Sequence, residues 1–348
     1  MTRVDVAEAD VDLAIDDALD RLAAKMERYG ASLEALGGAI RRAGRGGKRL
    51  RPRLVVRAFR AAGGESCAAL LPTATAFELL HTAFVIHDDL IDADTVRRGE
   101  LNVAGEFAAR ATADGADSRA AAAVGRAAAV LAGDVLLHET HLLLARAPFA
   151  DAVADRIQEL FDQAVLISAA GELADVEHDL SARSPSLEEA LATSHDKTAV
   201  YSFSAPLRAG AVLADADSDT DAALDRCGAR LGLAFQLVDD LVGAFGTVRQ
   251  AGRAEGSDLT AGKHTPLVAY ARQSQAWPIV SGALALAPMG PIALRDAQQA
   301  LTESGVRRHV EQLVREMLAS SRTDALGVGE ELGRLIDDVA TMIERRMP

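Results

Sequence analysis

Two stretches of this chain set paired aspartates into apolar sequence of helical period. In HTAFVIHDDLIDADTVRRGELN (His81–Asn102), Asp88, Asp89, Asp92 and Asp94 follow Ala83, Phe84, Val85 and Ile86, and Arg97 and Arg98 come directly after. On a helix over Thr73–Asp92, Asp88 and Asp92 share a face one turn apart, with Asp89 beside them. Three carboxylates so placed repel one another, and one tends to keep its proton unless a cation intervenes. Mg2+ meets that demand, because it binds through a few carboxylates together with waters and substrate phosphates. Taken alone, the DDxxD spacing serves capping acids at a solvated helix end equally well. A second stretch, AFQLVDDLVGAFG (234–246), repeats the arrangement with Asp239 and Asp240 and places Gln236 just upstream. Two acid clusters on apolar helices point to facing helices of one bundle, where metal sites are built from inward side chains.

The basic residues indicate what such metals would hold. GRGGKRLRP (44–52) presents Lys48, Arg49 and Arg51 in a glycine-rich turn, where Gly47 lets backbone approach an anion closely. RRG (97–99) follows the first acid cluster, HDKTAVYSF (195–203) supplies Lys197 and Thr198, and SDLTAGKHTP (257–266) supplies Lys263. The chain has 37 lysines and arginines but only four lysines, and three of these fall in the motifs just quoted. Where arginine is the default cation, a retained lysine marks a place that needs a compact ammonium. Acid clusters for metal and separate cations for phosphate oxygens together describe diphosphate chemistry.

These residues need elements to carry them. Amphipathic segments of helical period cover roughly 10–28, 67–92, 121–146, 151–178, 187–213, 221–245, 293–319 and 329–346. Breakers fall at 44–52, 112–118, 181–186 and 243–262, and strand-like alternation is hard to find. Aromatics are only 4% of the 348 residues, while alanine and leucine recur, which favours helices over β-branched strands. The expectation is an all-α chain, one large helical bundle, with residues 1–348 forming a single domain. A formal charge of −14 argues against a nucleic-acid surface. Two cysteines, Cys67 and Cys227, give neither a disulfide framework nor a zinc pattern. The acidic start is unlike a signal peptide, and no uninterrupted apolar run of about 20 residues predicts a membrane span. A cytoplasmic location is expected.

In their order and spacing, GGKRLRP, HDDLID with RRG, KT at 197–198, FQLVDD and the GK at 262–263 resemble the trans-isoprenyl diphosphate synthases (polyprenyl synthetases). The HTAFVIHDDLIDADTVRRGELNVAG stretch is similar to bacterial geranylgeranyl diphosphate synthases. The resemblance implies the isoprenoid synthase fold, a helical bundle around a deep central cavity, a homodimer, and Mg2+ as cofactor, three ions per active site. Asp88, Asp89, Asp92, Asp239 and Asp240 would then hold the metal on an allylic diphosphate (dimethylallyl, geranyl or farnesyl). Arg97, Lys197 and Lys263 would add charge around that diphosphate. Gly47, Lys48, Arg51, His81 and Arg98 match positions that bind isopentenyl diphosphate, and Thr198 and Gln236 match positions near the reacting carbons. Three departures stand out. Gly243 replaces the last aspartate of a second DDxxD, Arg253 replaces a common loop lysine, and Glu172 replaces a common glutamine, leaving the roles of Glu172, Asp175 and Arg253 open.

Within the resemblance, product length is set below the first acid cluster. Phe84 lies one turn beneath Asp88, and Ala83 beside it is small. One aromatic next to an alanine implies a pocket deep enough for a twenty-carbon product, geranylgeranyl diphosphate, feeding carotenoid or other terpenoid synthesis. Farnesyl and longer polyprenyl products are the alternatives. A terpene cyclase has no use for a second diphosphate site, and a non-catalytic regulatory subunit would lose an acid cluster.

Overall fold

The computed structural model describes residues 8–181, 183–251 and 254–348, and they are almost entirely helical. Arg253 lies outside the described residues. Two compact units divide the chain, one running to Gln158 and including Leu213–Asp215, the other comprising Glu159–Val212 and Ala216–Pro348.

In the first unit the helices are α1 (Glu8–Glu27), α2 (Ala31–Ala43), α3 (Leu50–Ala61), α4 (Leu70–Ile91), α5 (Val103–Ala113) and α6 (Ser118–Arg146). Helix α4 is apolar on most faces and packs against α1, α3 and α6. A helix so surrounded is buried, and Phe77, Leu79, Leu80 and Ala83 have at most 1% exposure. The neighbour α6 meets it with small residues, among them Ala128, Ala129, Ala132 and Gly133. Among the described residues α6 is also the one helix long and apolar enough to cross a membrane by length and composition.

In the second unit, α7 (Asp151–Leu180, its first turns in the first unit) and α8 (Leu187–Ser194) lead into a π-helix at His195–Ser204, and α9 (Ala205–Leu213) continues from it. The long α10 (Ser218–Phe245) is followed by short α11 (Val248–Ala251), α12 (Ser257–Ala261), α13 (Pro266–Gln273) and α14 (Trp277–Leu286). Helices α15 (Pro291–Glu303), α16 (Val306–Asp324) and α17 (Glu330–Glu344) complete it. Helix α10 packs on the π-helix, α16 and α17. The segment expected as one helix over 293–319 is two, because Gly305 takes a left-handed conformation (φ +79°) between α15 and α16. The segment expected over 187–213 is helical throughout but opens to π geometry where it carries Lys197 and Thr198.

Candidate active site

The first acid cluster occupies the C-terminal turn of α4. Asp88 and Asp89 are in its last turn, and Asp92 is the exposed C-cap. The end is closed by two bonds, Ala93 N–H to Leu90 C=O (3.2 Å) and Asp94 N–H to Asp89 C=O (2.8 Å), with Ala93 left-handed at φ +57°. This is a Schellman closure, and it makes Asp94 a loop residue just beyond the helix. Carboxylates at a helix C-terminus face the negative end of the macrodipole, so the turn calls for cations. Arg97 supplies one, donating to Asp89 Oδ1 at 2.5 Å and to Asp88 Oδ2 at 3.1 Å. Asp89 is 4% exposed, and burial, set against the attraction of Arg97, raises its carboxyl above the usual range.

Arg97 can reach back because RRG forms a hairpin. Strand β1 (Val96–Arg97) pairs antiparallel with β2 (Glu100–Leu101), and the two turn residues, Arg98 (φ +55°) and Gly99 (φ +83°), are both left-handed. Positive φ at both positions is the requirement of a tight two-residue hairpin. Arg98 adopts it without being glycine, at a cost of order 1 kcal/mol. Its guanidinium lies against the Gly46–Gly47 turn, where a Cβ on Gly47 would come within 3.3 Å of it. His81, two turns before Asp88 on α4, is held below its ordinary value, first by burial and then by the guanidiniums of Arg51, Arg97, Arg98 and Arg49. Gly47, Arg51, His81 and Arg98 are thus one electropositive group. Lys48 is exposed on the same turn.

Arg49 departs from its neighbours. It is 6% exposed and turns inward, donating to Glu78 Oε1 at 2.9 Å and to the Gly44 carbonyl at 2.8 Å. The basic turn therefore offers Lys48 and Arg51, while Arg49 braces α3 against α4. Of the chain-length pair, Ala83 is fully buried in helix packing and Phe84 keeps partial exposure, so Phe84 is the member of the pair that fronts open space.

In the second unit the π-helix brings Lys197 to α7, with Nζ 2.9 Å from Asp175 Oδ2 and 3.1 Å from Glu172 Oε2. Next to it, Thr198 Oγ1 donates to Gln236 Oε1 (3.0 Å), and Gln236 Nε2 donates to Asp240 Oδ1 (3.0 Å). The π-helix can lie this close because glycines face it on both sides. A Cβ at Gly171 of α7 would be 2.3 Å from the backbone nitrogen of Lys197, and one at Gly232 of α10 would be 2.4 Å from Ala199 Cα. Asp240 is 6% exposed, and burial, with Asp258, Asp239 and Asp175 near it and against the Gln236 hydrogen bond, pushes its carboxyl up to about 8. Lys263 follows α12, its N–H bonded to the Asp258 carbonyl (3.1 Å), and lines a cavity of about 260 Å³ with Asp258, Arg272, Trp277 and Leu284.

Sequence reasoning did not find Arg346. It pairs with Asp239, and its guanidinium lies 4.4 Å from the Phe235 ring centroid. Glu172 and Asp175, whose roles the sequence left open, are the carboxylates that hold Lys197. The tandem arginines Arg345–Arg346 were a signal in the sequence, but nothing there linked them to α10.

The donor set in each unit fits Mg2+. Asp88, Asp89, Asp92, Asp239 and Asp240 offer only hard oxygen ligands, and Oδ2 of buried Asp240 has no hydrogen-bond partner among the described residues. Among the described residues no three His, Cys, Asp or Glu side chains cage an ion by themselves. Mg2+ is commonly held by one or two carboxylates with waters and substrate phosphates.

Residues 35–279 match the family model described as Polyprenyl synthetase. The chain is 29% identical over 223 residues to the geranylgeranyl diphosphate synthase of Methanosarcina mazei, covering 64% of this chain and 63% of that protein. It is 34% identical over 229 residues to the farnesyl diphosphate synthase of Bacillus subtilis, covering 63% of this chain and 70% of that one. The chain thus spans a little under two thirds of the length of the M. mazei relative. Its fold is similar to the crystal structure of a Corynebacterium glutamicum geranylgeranyl pyrophosphate synthase complexed with isoprenyl diphosphate and magnesium. The TM-score is 0.87 at 26% identity, over 97% of this chain and 98% of that one. The family match takes in the GGKRLRP turn, both acid clusters, the lysine of the π-helix and the Gly262–Lys263 pair, and on that evidence the chain belongs to the polyprenyl synthetase family.

Proposed function

We propose that this chain is a chain-elongating trans-prenyltransferase that condenses isopentenyl diphosphate with an allylic diphosphate and releases diphosphate, with geranylgeranyl diphosphate as its product. The observation that carries the reading is that one compact unit holds two anion-directed groups of opposite make-up. Asp88 and Asp89 form an acidic turn able to take a diphosphate only through divalent cations, whereas Gly47, Arg51, His81 and Arg98 can bind one directly. An elongating enzyme needs both, because it must hold two diphosphates at once; a cyclase needs only the first.

In this reading the C1–O bond of the allylic diphosphate breaks and its electron pair leaves with the diphosphate. The double bond of isopentenyl diphosphate then forms the new carbon–carbon bond to C1, and a proton lost from the adduct to the departing diphosphate restores an alkene. The family resemblance implies that Arg97, Lys197 and Lys263 would add charge around the leaving group, where fixed cations lower the barrier. Glu172 and Asp175 fix the position of Lys197. Thr198 and Gln236 form a hydrogen-bonded pair that orients the oxygen dipoles beside the reacting carbons. The resemblance implies that Asp88, Asp89 and Asp92, and likewise Asp239 and Asp240, would hold Mg2+, which when bound would supply Lewis-acid stabilisation of the leaving diphosphate. Phe84 closes the tail's path one turn below Asp88 and, with its apolar neighbours, helps exclude the water that would quench an allylic cation. The family likeness supports the accompanying expectations of a single catalytic domain, three Mg2+ ions, a homodimer and a cytoplasmic location.

The test is an assay of purified protein with Mg2+, isopentenyl diphosphate and five-, ten- or fifteen-carbon allylic primers, followed by product sizing. A twenty-carbon product is expected. No product with any primer overturns the reading, and a fifteen-carbon or much longer product overturns the length assignment alone.

A further inference from the structure

Arg346 and Asp239 are 107 residues apart in sequence, yet they form an ion pair beside the second acid cluster. The contact is built from three directions. The guanidinium pairs with Asp239 Oδ1 and lies over the Phe235 ring one turn earlier on α10. Backbone bonds from Arg346 N–H to Ile343 C=O (3.0 Å) and from Met347 N–H to Glu344 C=O (3.2 Å) continue α17 into a turn that presents it. Arg307 Nη2 holds the Pro348 carbonyl at 2.8 Å. Arg97 stands in the same relation to Asp88 and Asp89, so each acid pair carries an arginine from its own unit.

We infer that Arg346 is the resting counter-ion of Asp239 and is exchanged for a divalent cation when the second acid cluster binds metal, which frees the C-terminal turn. The proposal rests on the assignment of Asp239 as a metal ligand given under Proposed function. Its basis is charge and space. A guanidinium keeps its charge at any ordinary pH, so it cannot leave Asp239 by losing a proton and has to be displaced. A doubly charged ion at a carboxylate oxygen attracts that oxygen about twice as strongly as a delocalised single charge at equal distance, and it repels the guanidinium. The side chains of the pair are 27% and 36% exposed, so solvent screens the contact and the arginine can be released at modest cost.

Two measurements test the exchange without turnover. The first is Mn2+ binding followed by electron paramagnetic resonance in the wild-type chain, Arg346→Ala, Arg346→Lys and Asp239→Asn. Arg346→Ala is expected to bind Mn2+ about two- to five-fold more tightly, the range set by an exposed ion pair. Arg346→Lys is expected to stay near the wild type, and Asp239→Asn to lose affinity. The second is hydrogen exchange in the wild-type chain, where saturating Mn2+ should speed exchange at the amides of Arg346 and Met347. Binding in Arg346→Ala that is unchanged or weaker, or exchange that Mn2+ leaves unchanged, overturns the proposal. If Asp239→Asn leaves Mn2+ binding untouched, the ligand assignment itself fails and the exchange fails with it. If Asp239→Asn weakens binding but Arg346→Ala does not strengthen it, the exchange alone fails.

Discussion

Replacing Arg49 with methionine tests whether the arginines of GGKRLRP divide into a brace and a binding group. Arg49 and Glu78 are 6% and 5% exposed, and their bond is 2.9 Å long. The carboxylates of Asp12 and Asp16 stand farther off, 3.7 and 3.9 Å from the guanidinium. Methionine keeps much of the side-chain volume but leaves Glu78 buried without its cation. Breaking a buried pair from one side costs about 3–5 kcal/mol, and the orphaned Gly44 carbonyl adds about 1 kcal/mol. With a urea slope of ~2–3 kcal/mol per molar, the unfolding midpoint should fall by roughly 1.3–3 M. The double variant Arg49→Met/Glu78→Leu removes both charges and should recover most of the loss, because an apolar replacement of a buried pair is often neutral or better. Lys48→Ala, at an exposed position, should stay within about 0.5 kcal/mol of the wild type. Circular dichroism in urea reads all three. A wild-type midpoint in Arg49→Met, or no recovery in the double variant, would refute the reasoning.

Four other outcomes are expected. Gly232→Ala drives a Cβ into Ala199 of the π-helix, and should cost about 1–3 kcal/mol and lower turnover by shifting Lys197 and Thr198; unchanged unfolding and turnover would exclude the tight packing. Asp240 is pushed up to about 8 mainly by burial, above an unfolded value of about 4, so its proton favours the fold below about pH 4 and that contribution is lost as pH rises to about 8. Thermal scans with a chelator should therefore show the wild type losing stability across that window relative to Asp240→Asn, and parallel curves would count against it. Phe84→Ala should lengthen the product, read by chromatography of the dephosphorylated alcohols, and an unchanged length would remove Phe84 from the floor. Asp88→Asn should abolish most turnover while circular dichroism stays native, and near-normal activity would rule out metal ligation there.

The long helices were legible because each is a long run of helix-favouring residues bounded by breakers. The acid-bearing segment expected to Asp92 is α4 with Asp92 as its cap, and the segment expected over 221–245 is α10 from Ser218 to Phe245. What escaped was geometry that arises only when elements meet. GGKRLRP reads as a uniform run of positive charge, and only the packing of α3 on α4 turns Arg49 toward Glu78. RRG reads as a basic motif, but that it is a left-handed hairpin turn follows from Arg98, a residue with no special propensity for it. Short helices such as α12, set between Gly256 and Gly262, and α13 carry too few turns to show a period. Arg346 was invisible because an ion pair across 107 residues has no local signature.

The π-helix at His195–Ser204 has a consequence for how this chain can change. Each residue of an α-helix advances the side-chain direction by 100°, whereas a π turn closes on a fifth residue and holds one more than the α register allows. The α-helical segments on either side, Leu187–Ser194 and Ala205–Leu213, therefore meet through a local excess of chain. Deleting a single residue there would remove the excess and let the stretch relax to α geometry between flanks that keep their faces, so the side chains inside the segment would be re-aimed. Lys197 would swing off Glu172 and Asp175, or Ser204 would leave its seat against Gly228. The segment can thus accept substitutions at its open positions but not a change of length, and its residue count is as much a part of the site as the lysine it carries.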